Sequence, residues 1–99
     1  MHVLTVCYGH PSDPAAFDAY YAATHKPLAD KIPGMASYTF RHCYSLDASQ
    51  PPYYLLAELA WESEEALNAA LNSPEGHAAA ADVPNFADGG VVMFVAHDG

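Results

Sequence analysis

Apolar and polar residues alternate by twos in four segments and by turns of a helix in the stretches between them, and this switch of period sets out the architecture. His2 to Gly9 (HVLTVCYG) is a β-branched and aromatic run, followed by Ser12 and Asp13 as candidate helix N-caps with Pro14 at the first helical position. From Phe17 the apolar positions Phe17, Tyr21, Thr24 and Leu28 follow helical spacing until Pro33-Gly34 ends the segment. A second strand, ASYTFRHCYSL, turns back through DASQPP into a third, YYLLAELAW. Ser63 then caps a helix whose Glu64 and Glu65 suit the positive end of its dipole, and Ser73-Pro74 starts another. Val83-Pro84 stops that helix, Asp88-Gly89-Gly90 turns, and VVMFVAH supplies a last strand.

The order β-α-β-β-α-α-β predicts an α+β fold of the ferredoxin-like plan, a four-stranded antiparallel sheet with the helices on one face, as a single domain over residues 1–99. Both parities of the strands are rich in apolar residues: Val3, Cys7 as well as Leu4, Val6, Tyr8; Leu56, Ala60 as well as Leu55, Leu59, Trp61; Val92, Phe94 as well as Val91, Met93, Val95. Helices can cover only one parity, and the other would exceed the roughly 400 Å² apolar patch usual on a monomer. A second copy packed sheet against sheet is the simplest cover, so a homodimer is expected.

Composition narrows the function. Apolar residues make up 52% of the 99 residues, enough for one core. Twelve Asp and Glu against three Lys and Arg give a formal charge of −9, a field that repels nucleic acid and anionic membrane surfaces, so neither is an expected partner. The chain shows no apolar run of spanning length and no basic leader before Val3, so a cytoplasmic location is expected. Cys7 and Cys43 stand alone in strand patterns as free thiols. The six histidines form no HxH or HxxxH pair, so no metal site is expected. GxGxxG, Walker, GxSxG and HExxH motifs are absent.

The stretch FDAYYAATHKPLADKIPGMASY, together with PEGHAAAADVPNFADGGV, resembles the EthD family of dimeric α+β barrel proteins over nearly the whole chain. The match lies in HxPL at His25 to Leu28, KIPG at Lys31 to Gly34 and DVPNFADGG at Asp82 to Gly90. The resemblance implies a ferredoxin-like subunit that pairs through its sheets into a barrel, and an association with ethyl tert-butyl ether degradation alongside an oxidative system. The wider barrel superfamily includes cofactor-free quinol monooxygenases, muconolactone isomerases, polyketide cyclases and haem-binding members, and fold alone does not choose among them.

Candidate chemistry centres on His25. Pro27 has no N–H and biases Lys26 away from the α region, so the helix should bend or end there with His25 in its last good turn. At 100° per residue from Phe17, His25 falls at the margin of the apolar stripe beside Tyr21 and Leu28. There it could serve as a general acid or base, or bond the carbonyls that Pro27 frees. Tyr38, early in the second strand, is the second catalytic candidate, and its alternative role is core packing. The pair is similar to the helix-one histidine and strand-two tyrosine of methylmuconolactone methylisomerase, although no cysteine here matches that enzyme's later-strand cysteines. Tyr21 and Leu28, with Phe40 and His42 on the strand parity of Tyr38, are the expected substrate-binding residues. Two functions remain open: a cofactor-free isomerase, lyase or oxygenase acting on a small apolar or aromatic molecule, with His25 moving a proton, or an accessory protein that holds such a molecule in the barrel.

Overall fold

In a computed structural model that describes residues 1–99, strands β1 (His2–Tyr8), β2 (Ser37–His42), β3 (Leu55–Trp61) and β4 (Val91–His97) form one antiparallel sheet in the order β2-β3-β1-β4. This is the ferredoxin-like α+β plan expected from the period changes. The helices α1 (Pro14–Tyr20), α2 (Lys26–Asp30), α3 (Glu64–Leu71) and α4 (Pro74–Asp82) pack on one face. Each long helical segment begins where a short polar side chain can accept an orphan N–H: Asp13 from Ala16, Ser63 from Ala66 and Ser73 from Gly76, at 3.0–3.1 Å, each worth about 1 kcal/mol. Ser12, the other candidate for the first cap, bonds Asp88 instead.

The long helix does not break at Pro27. Between α1 and α2 the chain makes a π segment, Tyr21–His25, closed by the Lys26 N–H on the Tyr21 carbonyl, and Lys26 keeps α-helical dihedrals of φ −57° and ψ −45°. The expectation that Pro27 would push Lys26 out of the α region is therefore corrected. A π turn absorbs one extra residue, and Pro27, two positions beyond it, has no donor to lose when the ladder is rearranged. The consequence is a change of face. Phe17, Tyr21, His25 and Ala29 are all buried, at a strict spacing of four, while Thr24 is exposed. On an uninterrupted α-helix Ala29 would lie about 120° round from Phe17. The extra residue in the π turn takes back about 100° and returns it to the same face.

The core lies between helices and sheet. Val6 and Tyr8 of β1, Leu55, Ala57, Leu59 and Trp61 of β3, and Phe17, Tyr21, Leu67 and Phe86 are buried there, each large side chain contributing roughly 1.5–3 kcal/mol. Trp61 is fully buried, and its indole N–H donates to the Pro33 carbonyl at 3.0 Å, holding the turn after α2. Gly34 in that turn has φ +75°, a conformation that side chains with a Cβ rarely adopt, and it lies at ordinary contact distance from the Trp61 ring.

The opposite sheet face carries Val3, Thr5 and Cys7, Leu56, Glu58 and Ala60, and Val92, Phe94 and Ala96. Towards β2 it becomes polar, with Ser37, Thr39 and Arg41. Val92 and Phe94 are about half exposed. β4 is an edge strand beyond the reach of the helices, so Met93 on its helix-facing side is 49% exposed as well.

Candidate active site

The face-sharing produced by the π segment places Tyr21 and His25 over the sheet, where a cavity of about 210 Å³ opens between the helices and β1, β3 and β4. Its floor is Leu4, Val6 and Tyr8 of β1 with Ala57 and Leu59 of β3, and its roof is Ala29, Ile32, Ala79 and Val83. Fourteen of its sixteen lining residues are hydrophobic, so the polar atoms that do reach it stand out. Leu71, Ala80 and Met93 also border it, and because Ala80 and Met93 are exposed its mouth lies between α4 and β4. The cavity is thus within one chain, under the helices. The antiparallel sheet and its own helices form this pocket, because the small side chains Ala57, Gly76, Ala79 and Ala80 leave room between the two layers.

His25 is 5% exposed rather than marginal, and its two ring nitrogens have different partners. Nδ1 lies 3.0 Å from Asp82 Oδ2, and Nε2 lies 3.5 Å from the Tyr8 hydroxyl. An ionised carboxylate only accepts, so Asp82 selects the tautomer with the proton on Nδ1 and leaves Nε2 as a bare acceptor. Tyr8 O–H can donate to it only over a long, weak bond. Phe86 packs against the imidazole with ring centroids 4.7 Å apart, and Tyr21 at 5.3 Å.

Burial holds the His25 pKa below the ordinary imidazole value, against the opposing pull of the hydrogen bond and charge of Asp82. Burial is also the largest influence on Asp82, raising its pKa, but donors from Tyr20, Asn85 and His25 together outweigh it and hold the carboxyl below the usual range. Tyr20 O–H donates to Oδ1 at 2.6 Å and Asn85 Nδ2 at 3.1 Å. The imidazole is therefore neutral near pH 7, with a fixed orientation and an anion behind it, the arrangement of a general base.

The second polar group in the cavity is a hydroxyl pair. Tyr21 and Tyr38 oxygens are 2.6 Å apart, Tyr21 buried and Tyr38 half-buried, and burial pushes both phenols above their ordinary pKa, Tyr21 strongly. Neither is a base at neutral pH; both are donors.

Of the residues singled out from sequence, His25, Tyr21 and Tyr38 meet in this cavity. Leu28 is half-buried and lies outside the lining. Phe40 packs on the Tyr21 ring at 5.0 Å and supports it without reaching the cavity. His42 is exposed at the end of β2, its Nε2 2.9 Å from Asp18 Oδ1, where the strand has run past the cavity to α1. Lys26, which flanks His25 in sequence, is paired with Asp30 at 2.8 Å. Sequence reasoning missed Tyr8 and Asp82. A carboxylate in the last turn of an alanine-rich helix opposes the helix dipole, and that was the available signal for Asp82.

Residues 10–90 match the EthD domain. The chain is 48% identical over 93 residues to an uncharacterised 11.0 kDa protein of the thcB–thcC intergenic region of Rhodococcus erythropolis, covering 94% of this chain and 90% of that one. Among solved structures, an ethyl tert-butyl ether d (EthD) family protein of Bacillus halodurans C-125 superposes with a TM-score of 0.93 at 29% identity, covering 100% of this chain and 99% of its own. At the level of fold, a dimeric ferredoxin-like protein of Jannaschia sp. CCS1 matches with TM-score 0.70 and 16% identity over 99% of this chain and 100% of its own. A hydroxynitrile lyase of Passiflora edulis matches with TM-score 0.75 and 11% identity over 99% and 94%.

Proposed function

We propose for this chain, which belongs to the EthD family, a proton-transfer reaction on a small, largely apolar molecule bound in the cavity under the helices, with His25 as general base and acid. The observation that carries this reading is the buried His25–Asp82 pair, whose unprotonated Nε2 is engaged only by a long contact to Tyr8 at the edge of an apolar cavity. Nε2 takes a proton from an acidic C–H or O–H of the substrate. The electron pair left behind moves onto an oxygen or a departing group, and Asp82 stabilises the imidazolium that forms. The hydroxyl of Tyr38, paired with Tyr21, donates to the developing negative oxygen. The same proton then returns to another position of the molecule, as in an isomerisation, or to the leaving group, as in a lyase. A hydroxynitrile lyase among the fold neighbours makes cyanohydrin cleavage one reaction to assay.

Incubation in D₂O with a panel of neutral carbon and oxygen acids, including acetophenone, cyclohexenone and mandelonitrile, tests this reading. The expected result is protein-dependent deuterium uptake or cleavage, followed by NMR, that falls about 10²–10⁴-fold in His25→Asn. Binding without any turnover, with affinity unchanged in His25→Asn, would assign the cavity to holding a metabolite.

The reading extends to assembly. The half-exposed Val92 and Phe94, continued across β1 by Cys7 and Val3 to Leu56 of β3, form an apolar patch on the open sheet face, and a fold neighbour is a dimer. A second copy of this chain covers that patch by packing sheet on sheet.

A further inference from the structure

We infer that the occupant of the cavity is a neutral, single-ring molecule carrying one carbonyl or hydroxyl oxygen, bound with that oxygen on the Tyr21–Tyr38 hydroxyl pair; this deepens the reading of the cavity as a reaction site and rests on it. Three observations converge. The first is size. An engineered apolar cavity of about 150 Å³ takes benzene, so 210 Å³ is well matched by a ring with a short substituent.

The second is charge. No Lys, Arg, Asp or Glu lines the cavity. Lys26 sits 5.5 Å from the Tyr38 ring centroid and is paired with Asp30. A carboxylate or phosphate would enter an apolar cavity of a chain with net charge −9 and find no counter-ion, so its desolvation would go uncompensated. Neutral molecules have no such obstacle.

The third is the hydrogen count. Two hydroxyls share one bond between Tyr21 and Tyr38, so one of their two hydrogens has no acceptor in the protein. In the tautomer that Asp82 selects, His25 Nε2 is an acceptor held only by the 3.5 Å contact to Tyr8. The site therefore offers one free donor and one weakly engaged acceptor amid apolar surface. An oxygen that accepts from the tyrosine pair, with an acidic hydrogen beside it facing Nε2, satisfies both. The rest of the ring then lies against Ala79, Val83 and Leu71 towards the mouth at Met93.

Ligand titrations monitored by ¹⁵N–¹H NMR discriminate the class with six probes: acetophenone and phenol (neutral, one oxygen), ethylbenzene (no oxygen), benzoate and phenyl phosphate (anions) and 2-acetylnaphthalene (two rings). Acetophenone and phenol are expected to bind about five- to tenfold more tightly than ethylbenzene, the worth of one hydrogen bond, and more tightly still than the anions and the two-ring ketone. Tyr21→Phe combined with Tyr38→Phe should bring acetophenone, which has no O–H to give His25, to the level of ethylbenzene, and unchanged ethylbenzene binding would show that the variant is folded. Anions or 2-acetylnaphthalene binding as tightly as acetophenone, or a preference for acetophenone over ethylbenzene that survives loss of both hydroxyls, would overturn the inference. If the selectivity is found but no bound probe exchanges deuterium, the ligand class stands and the proton-transfer reading falls. If exchange is catalysed only on an anionic or two-ring substrate, the reaction stands and the ligand class falls.

Discussion

Replacing Asp82 with Asn isolates what the carboxylate does for His25, because the change keeps the shape of the side chain and removes its charge. Oδ2 now accepts from Nδ1 of His25, while Oδ1 accepts from Tyr20 and Asn85. In the variant one position must be an NH₂. With the amide oxygen kept on Tyr20 and Asn85, the NH₂ faces Nδ1, which can bond it only as an acceptor, so the imidazole proton moves to Nε2. The base is then blocked at the atom that faces the cavity. The charge matters as well: at about 4 Å and an effective dielectric near 20, a carboxylate and an imidazolium attract by about 4 kcal/mol before desolvation is subtracted. A fraction of that suffices for the expected loss of about 10²–10⁴-fold in deuterium exchange. The pKa of His25, already lowered by burial, should drop further, because Asp82 is what now opposes the burial effect. The acid limb of the pH–rate profile therefore moves to lower pH, since His25 must be neutral to act as a base. Stability should fall by about 1–3 kcal/mol, the cost of a disrupted buried bond. Imidazole ¹⁵N shifts read the tautomer independently of any activity: Nε2 is unprotonated in the wild type and protonated in Asp82→Asn. An unchanged tautomer and an unchanged His25 titration in the variant would refute the orientating role of Asp82.

His25 also links stability to pH. Its folded pKa lies below the ordinary 6.5, so its contribution is fully present above that value and is lost as pH falls through the folded pKa, with Asp82 adding a loss of the same sign below its ordinary 3.8. Denaturation at pH 7.5, 6 and 5 should show declining stability, and a flat or rising trend contradicts the burial. Leu55, 1% exposed against the aromatic core, should cost about 2–5 kcal/mol on change to Ala, seen as a lower urea midpoint. Gly34→Ala places a Cβ at φ +75° and should cost about 1–3 kcal/mol by the same measurement; a neutral result would mean that the turn relaxes. Phe94→Asp puts a charge in the open-face patch and should shift sedimentation from dimer to monomer without changing the helical circular dichroism signal; a wild-type chain that sediments only as a 10.6 kDa monomer removes the dimer altogether.

Local patterning was enough to determine the strand and helix order, the caps at Ser63 and Ser73 and the stop at Pro33-Gly34, because each depends on side-chain period or on backbone groups within a few residues. It also brought His25, Tyr21 and Tyr38 forward as a group. What it could not determine was the face of the helix. Uniform 100° steps put His25 at a margin and Thr24 inward, whereas packing against the sheet favoured a π turn that buries His25 and Ala29 and turns Thr24 out. Phe40 and His42 share a strand parity with Tyr38, but parity specifies a side of the sheet and says nothing of distance along it, so His42 ended beyond the cavity. Asp82 lies fifty-seven residues from His25, and Tyr8 seventeen. Nothing local joins them. Their meeting is a property of the β2-β3-β1-β4 sheet order, which sets β1 in the interior beneath the π segment, and of α4 packing on α2, which carries the Asp82 carboxylate to the imidazole.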